Sequence, residues 1–197
     1  RAAERKGAPK GLIGVIKTPT LQATQELMKH KLTSLILATG GEAMVKAAYS
    51  SGTPAIGVGP GNGPAFIERS ADIKKAVKRI IDSKTFDNGV ICASEQSIVT
   101  EEIIKNQVID ELKRQGAYFL NKDEREKVGS ILMRANNTMN PKIVGKTALY
   151  IAAMAGITVP TNTKILVSEE CEVSYFNPYS REKLCPVLGF YTEENWE

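Results

Sequence analysis

The sequence predicts an α/β fold built on parallel sheets. Short apolar runs of strand character alternate with segments of helical periodicity, which is the order found in βαβ units. The chain has 197 residues, of which 42% are hydrophobic and 24% are charged, so its composition is that of a folded globular protein. No apolar run approaches the roughly 18 residues that a membrane-spanning helix needs.

The first part of the chain alternates strand and helix twice. Leu12–Ile16 is predicted as a short buried strand, and a helix follows over about Leu21–Lys31. A second strand is expected within Leu32–Ala38, and it ends at a Thr-Gly-Gly turn. That turn opens a helix over Glu42–Ser51, which Gly52 closes. Because a helix separates each strand from the next, the strands are expected to pair in parallel.

A glycine-rich segment, PAIGVGPGNGP, covers Pro54–Pro64. Its glycine density suggests a phosphate-binding loop, but a GxGxxG pattern would need glycine in place of Asn62 or Pro64, and no P-loop sequence is present. We therefore interpret the segment as bare backbone that another group can approach closely, or as a crossover between domains. The predicted domains are residues 1–58 and 59–197.

An amphipathic helix follows, with Ser70 as its predicted cap. Apolar residues recur on it at helical spacing, so one face is expected to be buried while its lysines face water. These apolar residues are Ile73, Ala76, Val77, Ile80 and Ile81. Further helices are predicted over Glu101–Gln115, Lys122–Ala135 and Thr147–Ala155, and strands over Gln96–Thr100, Ala117–Leu120, Lys164–Ser168 and Val187–Thr192.

Charge and metal-ligand content exclude several classes of function. The net charge is +4, basic residues are interspersed with acidic ones, and aromatic residues make up 6% of the chain; nucleic-acid binders instead concentrate basic and aromatic side chains. The single histidine, His30, and three widely spaced cysteines match no metal-binding or disulfide pattern and favour a reducing compartment. His30 is interpreted as a surface residue near a helix end.

Cys92 is the candidate nucleophile. It follows the turn Asp87–Gly89 beyond the amphipathic helix, where exposed backbone N–H groups would stabilise a thiolate. The alternative is a small buried apolar residue, as an arbitrary cysteine usually is. Cys171 has acidic neighbours, which disfavour a thiolate, and Cys185 is assigned no role.

The surroundings of Cys92 carry a family resemblance. Ser83–Ser97 reads SKTFDNGVICASEQS and resembles the nucleophile segment of the CoA-acylating aldehyde dehydrogenases. These include the aldehyde dehydrogenase half of bifunctional aldehyde–alcohol dehydrogenases and propionaldehyde and ethanolamine-pathway enzymes of bacterial microcompartments. The similarity extends to ILATGG at 36–41, MVKAAYSSG at 44–52, PAIGVGPGN at 54–62, VPTNTKIL at 159–166 and EKLCPVL at 182–188.

The resemblance implies an aldehyde dehydrogenase-like fold, with three layers in α/β/α order and parallel sheets, of which this chain is a fragment. Residues 1–58 would be the C-terminal portion of the NAD-binding domain. Residues 59–197 would be the catalytic domain, incomplete at its C-terminus. The fragment alone is expected to be inactive.

The resemblance also implies the chemistry. Cys92 would attack acetaldehyde or propionaldehyde and then carry the acyl group as a thioester, with NAD as hydride acceptor. Coenzyme A would take the acyl group, reversibly, because Gly57–Gly61, which matches the family's water-activating Glu-Leu-Gly-Gly motif, has no carboxylate. The residues implied in NAD binding are Thr39, Gly40, Gly41, Gly59 and Glu182, and no metal is expected.

The same resemblance implies a homo-oligomeric parent protein. An alcohol dehydrogenase, fused or separate, and a microcompartment shell are the expected partners, and the expected location is the cytoplasm or the interior of a microcompartment. Neither nucleic acid nor membrane is expected as a partner. The alternatives are a CoA-dependent succinate-semialdehyde dehydrogenase, a non-acylating aldehyde dehydrogenase, and a non-catalytic assembly module.

Overall fold

A computed structural model describes residues 1–195. The chain forms two compact units, the first from Arg1 to Pro60 and the second beginning at Gly61. Every strand pair in the sheets of the described chain is parallel, so the predicted parallel α/β fold is confirmed. No helix in this range combines the length and the apolar character needed to cross a lipid bilayer.

The first unit is built on two strands. β1 and β2 pair in parallel, and the Thr20 hydroxyl caps α2 by accepting from the Ala23 N–H at 3.0 Å, because the first N–H groups of a helix have no backbone acceptor. The elements are α1 (Ala2–Arg5), α2 (Leu21–Lys29), β1 (Ile36–Thr39), α3 (Glu42–Tyr49) and β2 (Ala55–Val58). The buried core residues are Met28, Ile36, Ala38 and Ala48.

The predicted strand at Leu12–Ile16 is wrong. Leu12, Ile13 and Val15 are 63%, 78% and 87% exposed, and this segment pairs with no strand of the described chain. An apolar run becomes a strand only where a neighbouring strand edge satisfies its backbone N–H and C=O groups. The apolar pattern alone is therefore insufficient here.

The second unit is a five-stranded parallel sheet with the strand order β3-β4-β7-β6-β5. Its strands are β3 (Gly63–Ile67), β4 (Glu95–Glu101), β5 (Ala117–Phe119), β6 (Ile165–Glu169) and β7 (Val187–Glu193). Its helices are α4 (Ile73–Thr85), α5 (Lys105–Arg114), α6 (Lys122–Leu132) and α7 (Ala148–Met154).

Helices cover both faces of this sheet. Because side chains alternate along a strand, Val167 of β6 joins one buried apolar cluster and the adjacent Leu166 joins another. The first cluster contains residues of α4 and α5, and the second contains residues of α6 and α7. The three-layer α/β/α arrangement implied by the resemblance is therefore confirmed.

The glycine-rich segment contains more strand than its composition predicts. β2 ends at Val58, and β3 begins at Gly63 and pairs with β4. β3 lies at the edge of the sheet, where a proline such as Pro64 is tolerated because one side of the strand needs no partner. The two compact units separate between these strands, after Pro60.

Two predictions about α4 are also corrected. Its cap is Asp72 rather than Ser70, and the Asp72 carboxylate accepts from the Lys75 N–H at 3.0 Å. Lys84 does not face water: it is 0% exposed. It follows Ile80 by four residues, which places it on the buried face of the helix.

An ion pair joins the ends of β3 and β4. The Glu101 side chain is fully buried, and the Arg69 side chain, 48% exposed, donates from Nε to Oε1 at 2.9 Å. The Arg69 guanidinium lowers the pKa of Glu101 below its usual range, first through this hydrogen bonding. A group with a depressed folded-state pKa stabilises the fold above its unfolded-state pKa, and that stabilisation is lost as the pH falls through the folded value.

We therefore expect Arg69→Leu to lower the Tm of the full-length polypeptide at neutral pH, because the substitution leaves a buried carboxylate without its cation. The Tm difference from wild type should shrink as acid protonates Glu101. Arg114→Leu, which removes a partner of Glu111 within α5, is the control and should change Tm little. Equal Tm losses in the two variants, measured by thermal denaturation from neutral to acidic pH, would contradict this account.

Candidate active site

Cys92 lies in a turn between α4 and β4 and is exposed. The preceding residues Asp87, Asn88 and Gly89 all have left-handed backbone conformations, with φ of 47°, 51° and 74°. Asp and Asn tolerate this region better than other side chains, and glycine enters it freely. A Cβ at Gly89 would also lie 3.0 Å from the Lys84 carbonyl oxygen. The sequence Asp-Asn-Gly therefore ends the helix sharply and carries the chain toward Cys92.

Side-chain and backbone hydrogen bonds hold this turn. Asn88 Nδ2 donates to the Gly145 carbonyl oxygen at 3.1 Å, and the Ser94 N–H donates to the Ile91 carbonyl oxygen at 2.9 Å. The Cys92 N–H has no acceptor within the described chain. An exposed thiol thus stands beside a free backbone donor, as the capture of a developing oxyanion requires.

Gly61 packs directly against Cys92. A Cβ at this position would collide with the Cys92 carbonyl oxygen, so only glycine fits. The Gly61 N–H donates to Glu182 Oε1 at 2.7 Å, and the neighbouring Asn62 Nδ2 donates to the Ser180 carbonyl oxygen at 2.8 Å. The structure therefore brings two predicted site residues, Cys92 and Glu182, into contact with the same glycine.

The sequence alone indicates no role for Gly61. Its signal was the glycine density of the segment, but no spacing distinguished Gly61 from the glycines near it. The fold decides which group lies against a glycine. For Gly61 that group is the backbone carbonyl of Cys92, thirty-one positions away in sequence.

The Glu182 carboxyl is partly buried. Burial raises its pKa, while the Gly61 N–H and the Lys84 ammonium lower it. A carboxylate in this position needs donors to remain ionised. The Gly61 N–H supplies one of them.

The other predicted cofactor residues, Thr39, Gly40, Gly41 and Gly59, belong to the first unit. Thr39 ends β1, and Gly41 is the N-cap of α3 without a side-chain hydrogen bond to the helix. The first N–H groups of α3 therefore have no side-chain cap, and a helix N-terminus favours negative charge. A Cβ at Gly41 or at Gly59 would meet nothing within 4 Å, so the backbone is open to approach at both positions.

The remaining candidates have other surroundings. Cys185 is buried, and burial raises the pKa of its thiol to about 11, which disfavours a thiolate. Cys171 is exposed. His30 ends α2, and its Nδ1 accepts from the Leu32 N–H at 3.2 Å, in agreement with its interpretation as a surface residue near a helix end.

Comparisons with known proteins bear on this site. The aldehyde dehydrogenase family profile matches residues 1–149. The chain is 50% identical over 196 residues to the aldehyde-alcohol dehydrogenase of Clostridium acetobutylicum. This alignment covers 100% of this chain and 22% of that protein. An acetylating aldehyde dehydrogenase from Geobacillus thermoglucosidasius is 61% identical, with a TM-score of 0.94 over 98% of this chain and 43% of that one.

A third relative was solved with ligands. The propionaldehyde dehydrogenase of Rhodopseudomonas palustris, with bound CoA and an acylated cysteine, is 30% identical, with a TM-score of 0.87 over 98% of this chain and 44% of that one. The chain thus spans less than half the length of each relative described. The family profile, the sequence identity and the structural similarity nevertheless agree with the motifs, and the chain belongs to the aldehyde dehydrogenase family.

Proposed function

We propose that the polypeptide containing this chain is an NAD-dependent, CoA-acylating aldehyde dehydrogenase that converts acetaldehyde or propionaldehyde reversibly to acyl-CoA. The observation that carries the proposal is the geometry of Cys92, an exposed thiol whose own backbone N–H has no acceptor among residues 1–195. The similarity to an acetylating enzyme and to a relative with an acylated cysteine supports it.

Cys92 is the proposed nucleophile. Its thiolate adds to the aldehyde carbonyl carbon, and the carbonyl oxygen gains the negative charge of a thiohemiacetal. The Cys92 N–H is a donor for that oxygen, and a preorganised donor stabilises the charge as it develops. Loss of hydride from the same carbon leaves a thioester on Cys92.

Two groups of residues are proposed to hold NAD. Thr39, Gly40 and Gly41 lead into the uncapped start of α3, and the backbone is open at Gly41 and Gly59, which fits a dinucleotide and its negative charge. Glu182 offers a carboxylate for the hydroxyl groups of the nicotinamide ribose. When bound, NAD supplies the acceptor for the hydride.

The fate of the thioester separates acylation from hydrolysis. Gly57–Gly61, the segment that matches the water-activating motif of hydrolytic relatives, contains no carboxylate. Without a base, water attacks a thioester poorly, whereas a thiol such as that of CoA has a thiolate fraction near neutral pH. We therefore expect CoA to be the acyl acceptor.

The proposal extends to domains, partners and location. Residues 1–58 would complete an NAD-binding domain and residues 59–197 would form part of the catalytic domain. We propose a homo-oligomeric enzyme in the cytoplasm or in a microcompartment, with an alcohol dehydrogenase as fused or separate partner. The fusion in the Clostridium acetobutylicum relative supports the last point, and three free cysteines fit a reducing location.

The test uses the purified full-length polypeptide with propionaldehyde and NAD, with and without CoA. We expect NADH formation that depends on CoA, and propionyl-CoA as the product identified by mass spectrometry. Undiminished formation of propionate without CoA would refute acylation and favour a hydrolytic enzyme. Absence of any NADH formation from acetaldehyde, propionaldehyde or succinate semialdehyde would favour a non-catalytic module.

A further inference from the structure

A cluster of buried polar side chains lies beneath the site and has no part in the chemistry described above. Lys84, Gln96 and Lys183 are each 0% exposed. Lys84 precedes Cys92 by eight residues and Gln96 follows it by four, whereas Lys183 comes directly after Glu182. We call these three residues the lysine–glutamine cluster.

Gln96 is the centre of this cluster. Its Oε1 accepts from Lys84 Nζ at 3.3 Å and from the Lys183 backbone N–H at 3.0 Å. One amide oxygen therefore joins the end of α4, the start of β4 and the segment that carries Glu182. Since Cys92 lies between Lys84 and Gln96 in the chain, the contact between these two side chains closes the base of its loop.

The backbone on both sides of Glu182 is held by the same cluster. The peptide after Glu182 donates its N–H to Gln96 Oε1. The carbonyl oxygen of the residue before it, Arg181, accepts from Lys183 Nζ at 2.7 Å, as does that of Tyr179. Glu182 thus projects from a stretch of backbone fixed at both ends, and its own carboxylate accepts from Gly61.

The charges agree with this arrangement. Burial lowers the pKa of Lys84 to about 8, while Cys185, Glu95 and Glu182 act in the opposite direction. Burial also lowers the pKa of Lys183. Burying two amines destabilises a fold unless hydrogen bonds or opposite charges compensate for the lost hydration. Here the hydrogen bonds of the two amines hold the backbone that carries Glu182. Burial raises the pKa of the Glu182 carboxyl group.

We propose that Lys84, acting through Gln96, is a positioning residue that fixes Glu182 relative to the Cys92 loop and thereby sets the affinity for NAD. The inference rests on the proposed function, in which Glu182 binds the nicotinamide ribose. It goes beyond that function because Lys84 and Gln96 touch neither substrate nor cofactor in it.

The test is Lys84→Met in the full-length polypeptide. We expect the KM and the dissociation constant for NAD to rise at least about tenfold, the cost of weakening one hydrogen bond to a charged group. We expect kcat at saturating NAD and the rate of Cys92 alkylation by iodoacetamide to change less than about threefold, because Asn88 and Ser94 hold the Cys92 turn independently. Tm should not fall, since methionine removes a buried charge.

Lys78→Met is the matched control, because Lys78 lies on the same helix with its side chain 65% exposed and forms an ion pair with Asp82. Gln96→Leu should reproduce the loss of NAD affinity expected for Lys84→Met, while Gln96→Glu keeps an acceptor oxygen and should retain the NAD affinity. This pair separates the role of the acceptor from the general effect of substituting a buried residue.

Two results would overturn the inference. One is wild-type NAD affinity in Lys84→Met or in Gln96→Leu. The other is a parallel loss of NAD affinity, alkylation rate and Tm, which a merely structural role predicts. If the wild-type enzyme binds NAD but forms acid without CoA, the acylating function alone is refuted. The role of the lysine–glutamine cluster in NAD affinity can then still be tested by NAD titration and by alkylation of Cys92. A wild-type polypeptide that binds no NAD overturns both.

Discussion

Replacing Cys92 with alanine is expected to lower kcat of the full-length polypeptide by about 10⁴-fold or more, the scale seen when a covalent nucleophile is removed. The physical reason is that the Cys92 thiol is the proposed attacking group, and it adjoins a backbone N–H that has no acceptor among the described residues. Cys185 is buried with a pKa raised to about 11. NAD binding should survive the substitution, because alanine leaves the backbone of the turn unchanged.

Cys171→Ala is the matched control, since Cys171 is also exposed. This variant should keep wild-type turnover. Incubation of each variant with propionyl-CoA, followed by peptide mass spectrometry, should locate the acyl adduct on Cys92 in wild type and in Cys171→Ala. An adduct elsewhere, or appreciable turnover by Cys92→Ala, would exclude Cys92 as the nucleophile.

Gly61→Ala is expected to lower kcat/KM by about 100-fold, the effect of moving a reacting group by about 1 Å. The added Cβ collides with the Cys92 carbonyl oxygen, so either the Cys92 turn or the backbone that leads from Gly61 into β3 must move. The obstacle is rigid backbone, so no flexible side chain can turn aside to relieve it. A shift of the Gly61 N–H would also disturb its hydrogen bond to Glu182.

Gly63→Ala provides the comparison for this substitution. A Cβ at Gly63, two residues away, would meet nothing within 4 Å. We therefore expect Gly63→Ala to keep activity within about threefold of wild type, as surface substitutions usually do. Similar steady-state kinetics for the two variants would show that the contact between Gly61 and Cys92 has no catalytic consequence.

Local periodicity accounts for most of the fold that could be predicted. The apolar spacing of α4 and the alternation of strands with helices specify parallel pairing, because both patterns follow from the geometry of single elements. Leu12–Ile16 and β3 mark the limit of this reasoning. Whether an apolar run becomes a strand depends on the neighbouring edge, and a local pattern contains no information about that edge.

The residues of the candidate site also differ in whether local sequence can indicate them. Cys92 can be proposed from sequence because its turn residues and its surrounding motif lie next to it in the chain. Gly61 and Gln96 cannot be proposed in this way, because their contacts with Cys92 and Lys183 are made across the fold. Lys84 could have been recognised: it falls on the apolar face of α4, four residues after Ile80, and a charged residue in such a position needs buried partners.

The position of β7 has a consequence for synthesis on the ribosome. β7 follows the other strands in sequence but lies between β4 and β6. As the nascent chain emerges, the facing edges of β4 and β6 stay unpaired until β7 is released to fill the gap between them. Such edges promote association between chains, so a translational pause that delays the release of β7 should increase the demand for chaperones.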